Sequence, residues 1–208
     1  MFNFFSPYKK KLYKNNKIHL RKKTVDAEVY DYVFIEKYHR PFKSIESKKP
    51  VILDLGSNIG LTVVDIKDLY PGSEIFAFEM DSENYDLSLL NCKNLRGVHL
   101  FNKAVWYKEM LLQYEKGSSN DAYKIEEGVT KNNAVEVEAI SIKEIISANG
   151  IKYTDYVKMD IEGAEYEIFQ NDLEWLKITS QIKIEVHYGE DVFDFIGHRK
   201  THRVQLGM

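Results

Sequence analysis

Residues 51–60 read VILDLGSNIG, an apolar run that leads into an aspartate and two glycines with three residues between them. A continuous apolar run is the mark of a strand buried on both faces, and such strands occur in parallel sheets covered by helices. The chain beyond it keeps alternating. Helical patterns at Ile59–Leu69, Ser82–Cys92, Ser141–Ala148 and Ala164–Trp175 separate strand patterns at Glu74–Phe78, Val98–Phe101, Asp155–Asp160 and Gln181–His187. That alternation predicts an α/β fold with a doubly wound, mostly parallel sheet and ligands at the carboxyl ends of its strands. Val105–Tyr114 reads as a strand pair or a strand with a turn. Residues 117–133 read as an irregular polar loop, and Val135–Ala139 as a short strand. Before Pro50, residues 24–47 read as helical, with Thr24 as cap and Pro41 as stop.

The 208 residues suit one domain with a sizeable core. Residues 1–49 are expected to be a basic arm and helical segment packing on the core formed by 50–208. The single cysteine, Cys92, falls in a helical pattern and is expected to pack. The chain cannot form an internal disulfide, which suggests a reducing compartment. No apolar run reaches the ~20 residues that a membrane span needs. The N-terminus does not read as a signal peptide, so a cytoplasmic location is expected. The net charge of −3 hides an asymmetry. Eight of the 29 basic residues lie in 1–23, with no acid, and three lie in 197–208; the other 18 face all 32 acids. So acidic a body argues against a nucleic-acid partner. The arm of residues 1–23 is either a solvated stretch or a peripheral contact with an anionic membrane surface.

The glycine turn has a restricted set of uses. A phosphate loop needs four residues between its glycines and then Gly-Lys-Ser/Thr, and Leu61–Thr62 follow here instead. A dinucleotide turn needs a glycine where Asn58 stands. What remains is D-x-G-x-N-x-G, in which Asp54, Gly56, Ser57, Asn58 and Gly60 are the candidate ligand-binding residues. The open N–H groups of the next helix suit a carboxylate, and Asp54 suits an ammonium, so the pair matches an amino-acid zwitterion. Glu79, at the end of the next strand, is placed to accept two ribose hydroxyls. Cofactors of more than one class carry that diol, so Glu79 alone does not choose between them.

A second constellation lies further on. Lys158 and Asp160 share one face of a strand, and a lysine in an apolar strand is costly unless paired. Lys183, Glu185 and His187 share a face of the last clear strand. The strings VILDLGSNIG, IFAFEMDSENYDLSLLNCKN, FNKAV, VKMDIEGAEYEIF and IKIEVH together resemble the FkbM-type S-adenosylmethionine-dependent methyltransferases, over roughly residues 24–188. The resemblance implies the class I methyltransferase (Rossmann-like) fold and O-methylation of a hydroxyl, often on a saccharide or another small molecule or glycoconjugate. It places the methionine part on Asp54–Gly60, the ribose on Glu79 and the adenine near Asn102–Ala104, with Ala104 as a contact. Methyl transfer to an alcohol needs alignment and a proton acceptor. Asp160, Glu162 and His187 are the candidate catalytic residues, and also the candidate ligands for a divalent metal, which is possible but not favoured. The family's usual antiparallel strand pair after the fifth strand has little room here. A helix near Val192–Ile196 and one short strand at Arg203–Leu206 are expected, which leaves the sheet edge short or truncated. Two other readings stay open: a non-catalytic module of the same fold that binds a partner or an anionic surface, and, weaker, a nicotinamide oxidoreductase.

Overall fold

The computed structural model describes residues 7–116, 123–126, 134–187 and 203–207. Its centre is a six-stranded parallel sheet built from β3 (Val51–Leu55), β4 (Glu74–Phe78), β5 (Val98–Phe101), β10 (Tyr156–Met159), β11 (Gln181–Glu185) and β12 (Arg203–Gly207). The strand order is β12-β11-β10-β3-β4-β5. β3 and β10, neighbours in space but distant in sequence, form the point where the order reverses. Chains leaving the sheet there in opposite directions open a crevice at the carboxyl ends. The expected class I methyltransferase architecture is therefore present, and the final short strand pairs parallel to β11.

Helices α2 (Leu61–Leu69) and α3 (Ser82–Cys92) connect β3, β4 and β5. Ile59, Val63, Val64 and Leu87 are buried with Ile52 and Ile75 in one apolar cluster. On the other side of the sheet, α5 (Glu165–Asn171) and a 3-10 turn (Glu174–Ile178) put Ile168, Phe169 and Trp175 against Leu53, Val157 and Ile182. Asp81 caps α3 by accepting from the Asn84 N–H at 2.9 Å. Ser141 caps α4 (Ile142–Ala148) in the same way. Cys92 is buried, as its helical position suggests.

Three features depart from the sequence reading. Residues 7–23 are not simply an arm: β1 (Tyr8–Tyr13) and β2 (Asn16–Arg21) form an antiparallel hairpin whose Ile18 and Leu20 are 0% and 1% exposed. Ile18 and Leu20 of β2 are buried on one face and His19 on the other, which outweighs the charge of the flanking lysines. The helix expected over 24–47 is shorter. α1 (Asp26–Asp31) runs into a π-turn (Tyr32–Glu36) that ends at Lys37, in the left-handed region at φ 59°. Thr24 is not the cap of α1: Val25 holds that position without a side-chain bond, and the Thr24 hydroxyl accepts the Asp26 N–H at 3.3 Å from one residue earlier. Finally, β6 (Ala104–Trp106), β7 (Met110–Lys116), β8 (Tyr123–Glu126) and β9 (Val135–Ser141) form a separate four-stranded sheet, ordered β6-β9-β7-β8. β8 falls inside the segment read as an irregular loop. The helix expected near 192–196 lies outside the described residues.

Candidate active site

The rim is built by backbone hydrogen bonds between neighbouring strand ends. The Gly56 and Ser57 N–H groups both donate to the Phe78 carbonyl, at 3.0 and 2.9 Å. The Glu79 N–H donates to the Phe101 carbonyl, and the Asp160 N–H to the Leu55 carbonyl, each at 3.0 Å. Four strands are thereby locked together where the chemistry-bearing residues stand.

Gly56 has φ +81°, and a Cβ there would lie 1.7 Å from the Asp160 carbonyl oxygen. The glycine is required because the turn after β3 crosses the turn after β10. Gly60, at φ +79°, likewise has Cys92 and Ser88 in the space of a side chain. Both glycines are thus demanded by contacts within the chain, and the turn they shape lines two adjoining clefts.

The first cleft lies between Gly56, Asn58, Phe78, Glu79, Ala104 and Asp160. Glu79 is 6% exposed. One carboxylate oxygen accepts the Asn58 N–H at 2.8 Å and the other the Asp81 N–H at 2.9 Å. A carboxylate has about four acceptor positions, so each oxygen keeps capacity for a ligand hydroxyl. Burial pushes Glu79 up to about 7, against the pull of those two N–H groups. Asn102 braces the same rim, its amide donating to the Glu79 and Met80 carbonyls at 2.9 and 3.0 Å.

The second cleft is the roomier of the two and shares Gly56, Asn58, Asp160 and Glu162 with the first. Ser57 lines it, and its buried hydroxyl has no hydrogen-bond partner among the described residues. Asp54 lines neither cleft. It is 4% exposed, accepts from the Thr62 hydroxyl and lies 3.6 Å from the Lys158 ammonium. Lys158 also sits 3.2 Å from Asp160 and donates to the Gly56 carbonyl. Burial opposes the charge on Lys158, but Asp160 and Asp54 outweigh it and hold the pKa above the usual lysine range.

His187 closes the constellation. Its Nδ1 lies 3.1 Å from Glu165, which is 1% exposed; its Nε2 lies 3.5 Å from Glu162, 3.7 Å from Asp160 and 4.0 Å from Glu185. The Glu165 hydrogen bond, with Glu162 and Asp160 adding and burial opposing, raises the imidazole to about 9. Glu162 itself has φ +55°, a left-handed backbone that is costly for a side-chain-bearing residue and is often kept where function needs the side chain aimed. The structure thus brings together the three expected catalytic residues, Asp160, Glu162 and His187. Lys158 and Glu185, part of the polar stripe expected on the same two strands, stand with them, and the structure adds Glu165. Among the described residues, Asp160, Glu185 and His187 offer ligand atoms within 4.8 Å of one another, a donor set with the chemistry for a divalent cation.

A reversed-order parallel sheet carrying a glycine turn after β3 and an acid after β4 defines an α/β protein of the nucleotide- and cofactor-binding class. The chain belongs to the FkbM methyltransferase family: the Methyltransferase FkbM domain matches residues 54–203. No curated protein matches it. Among solved structures, coclaurine N-methyltransferase bound to N-methylheliamine and SAH is 17% identical, with a TM-score of 0.26, over 42% of this chain and 26% of that one. An NAD-dependent alcohol dehydrogenase is 13% identical, with a TM-score of 0.36, over 94% of this chain and 47% of that one. The chain therefore spans less than half the length of either. Among the described residues, no helix is long and apolar enough to cross a membrane.

Proposed function

We propose that this chain is an S-adenosylmethionine-dependent O-methyltransferase acting on a hydroxyl of a saccharide or a related small-molecule or glycoconjugate acceptor. Family membership supports methyl transfer, and one observation carries the cofactor: Glu79, buried at the tip of β4, with each oxygen fixed by one N–H and still able to accept from a diol. The rest of the first cleft fits the same cofactor. Phe78, Met80, Ala104, Val105 and Ile161 give an apolar slot for an adenine. The Asn58 turn suits the methionine end, and the unpartnered Ser57 hydroxyl stands beside it in the second cleft. Asp54 would act on that end through the turn, by holding Lys158 against the Gly56 carbonyl.

When bound, S-adenosylmethionine supplies a methyl group made electrophilic by its sulfonium. The protein's part is to align the acceptor hydroxyl and take its proton. Asp160 and Glu162 line both clefts, so they stand where cofactor and acceptor would meet. His187, held among carboxylates, is protonated at neutral pH and orients them; it becomes a proton acceptor only as the pH nears 9. Tyr32 and Tyr38 in the second cleft offer aromatic faces beside carboxylates, a combination suited to a sugar ring and its hydroxyls.

Titration calorimetry with S-adenosylmethionine, its demethylated product and NAD tests the cofactor. Binding of both sulfur ligands and not NAD is expected, and binding of NAD alone overturns the reading. Mass spectrometry of pooled glycans after incubation then looks for a gain of one methyl.

A further inference from the structure

The second cleft has a charge pattern of its own. One wall is the π-turn and the residues after it, with Tyr32, Glu36 and Tyr38; the opposite wall is the strand tips, with Asp160, Lys183 and Glu185. Among the described residues, the lining holds four carboxylates, counting Glu162, against the ammoniums of Lys158 and Lys183. Lys158 is already committed to Asp54 and Asp160. The lining therefore carries two more carboxylates than ammoniums. A sulfonium in the first cleft would offset one of the two excess charges and leave the acceptor side negative.

The first wall lies outside the family domain, which begins at residue 54. It is nevertheless firmly held. The Tyr156 hydroxyl donates to the His39 carbonyl at 2.6 Å. Asp65 of α2 gathers His39 at 3.0 Å, Arg40 at 2.7 and 2.8 Å, and the Tyr13 hydroxyl of the hairpin at 2.6 Å. These bonds tie β1, the segment after the π-turn, and α2 to one buried carboxylate. The wall is therefore in place before any acceptor arrives.

We propose that this cleft selects acceptors without negative charge, neutral or amine-bearing polyols, and that Glu36 and the wall preceding the family domain supply that selectivity. The inference rests on the methyltransferase reading for the cleft's role. An anionic acceptor, such as a sugar phosphate or a uronic acid, must enter against fixed carboxylates in a partly desolvated space. An ammonium on the acceptor is drawn in by the same field.

The test reads the field directly. Tyr32→Cys puts a thiol on the wall at a half-exposed position, and Cys92, the only other thiol in the chain, is 4% exposed. Labelling rates are measured with a cationic and an anionic methanethiosulfonate and divided by the rates with 2-mercaptoethanol. At low salt the normalised cation-to-anion ratio should be at least about tenfold above one, and should fall several-fold on adding Glu36→Lys or on raising salt. A ratio of one or below overturns the proposal. Methyl glucosaminide, glucoside and glucuronide are then offered as protectants of the introduced thiol in protein loaded with the demethylated cofactor. Protection by the glucuronide equal to that by the glucosaminide also overturns it. Calorimetry with S-adenosylmethionine on the same protein shows separately whether the methyltransferase reading stands.

Discussion

The Lys158 ammonium lies 3.6 Å from Asp54, its direct cross-strand partner in the β3–β10 register. The pair is almost dry: the two side chains are 7% and 5% exposed. A buried charge left without its partner costs several kcal/mol, more than the pair itself contributes. Lys158→Met should therefore destabilise the fold by about 3–5 kcal/mol in urea denaturation. Adding Asp54→Asn should recover part of that loss. A loss below about 1 kcal/mol would show that the carboxylates are reached by water and need no counter-charge.

Glu79 should govern cofactor affinity in a pH-dependent way. Burial raises it to about 7, so below that pH the unliganded carboxyl is largely protonated and can accept less well from a diol. Affinity for S-adenosylmethionine should climb between pH 6 and 8 and then level off. Glu79→Ala should weaken binding about 10–100-fold, the loss expected for hydrogen bonds to a charged group. Its pH dependence in that range should disappear as well. Calorimetry across the pH series checks both, and an unchanged affinity in Glu79→Ala removes the ribose role.

His187 offers a stability readout independent of ligand. Its pKa is raised from 6.5 to about 9, so folding gains from its proton at pH below 6.5 and loses that gain as the pH rises through 9. The shift corresponds to about 2–3 kcal/mol for a group this well shielded. Wild type should lose stability relative to His187→Gln between pH 6.5 and 9.5, measured by denaturant midpoints. If the difference stays constant with pH, the four carboxylates do not hold the imidazole's proton.

Much of this site was legible because its signals are local. D-x-G-x-N-x-G and KMDIEGAE sit at strand ends, and strand ends converge in a parallel sheet. The demand of Lys158 for a partner could be read from its apolar neighbours; that Asp54 is one of its partners follows only from the β3–β10 register. Glu165 gave a weaker signal. It lies on the first turn of α5, where an acid ordinarily serves the helix dipole, and its bond to His187 joins residues 22 apart. The second sheet stayed hidden because β6 and β9 pair in parallel across residues that read as loop. The Asp65 network also escaped, since Tyr13, His39 and Arg40 reach it from 52, 26 and 25 residues away.

The hairpin yields the last prediction, because its lysines hid a core element. Lys9 and Lys11 stand opposite Leu20 and Ile18 in the β1–β2 register, so basic residues pair with the two most buried apolar side chains of the segment. Tyr13 stacks on Phe34 at 3.8 Å between ring centroids, and the His19 N–H donates to the Asn91 side chain at 2.8 Å. The segment is thus fastened both to the π-turn that walls the second cleft and to α3. Ile18→Ala should cost about 2–4 kcal/mol, as truncation of a buried aliphatic does. Lys9→Ala or Lys10→Ala, on exposed positions, should cost less than about 0.5 kcal/mol. Thermal and urea denaturation of the three variants decides the matter. A mild Ile18→Ala would return residues 7–23 to the status of a solvated arm.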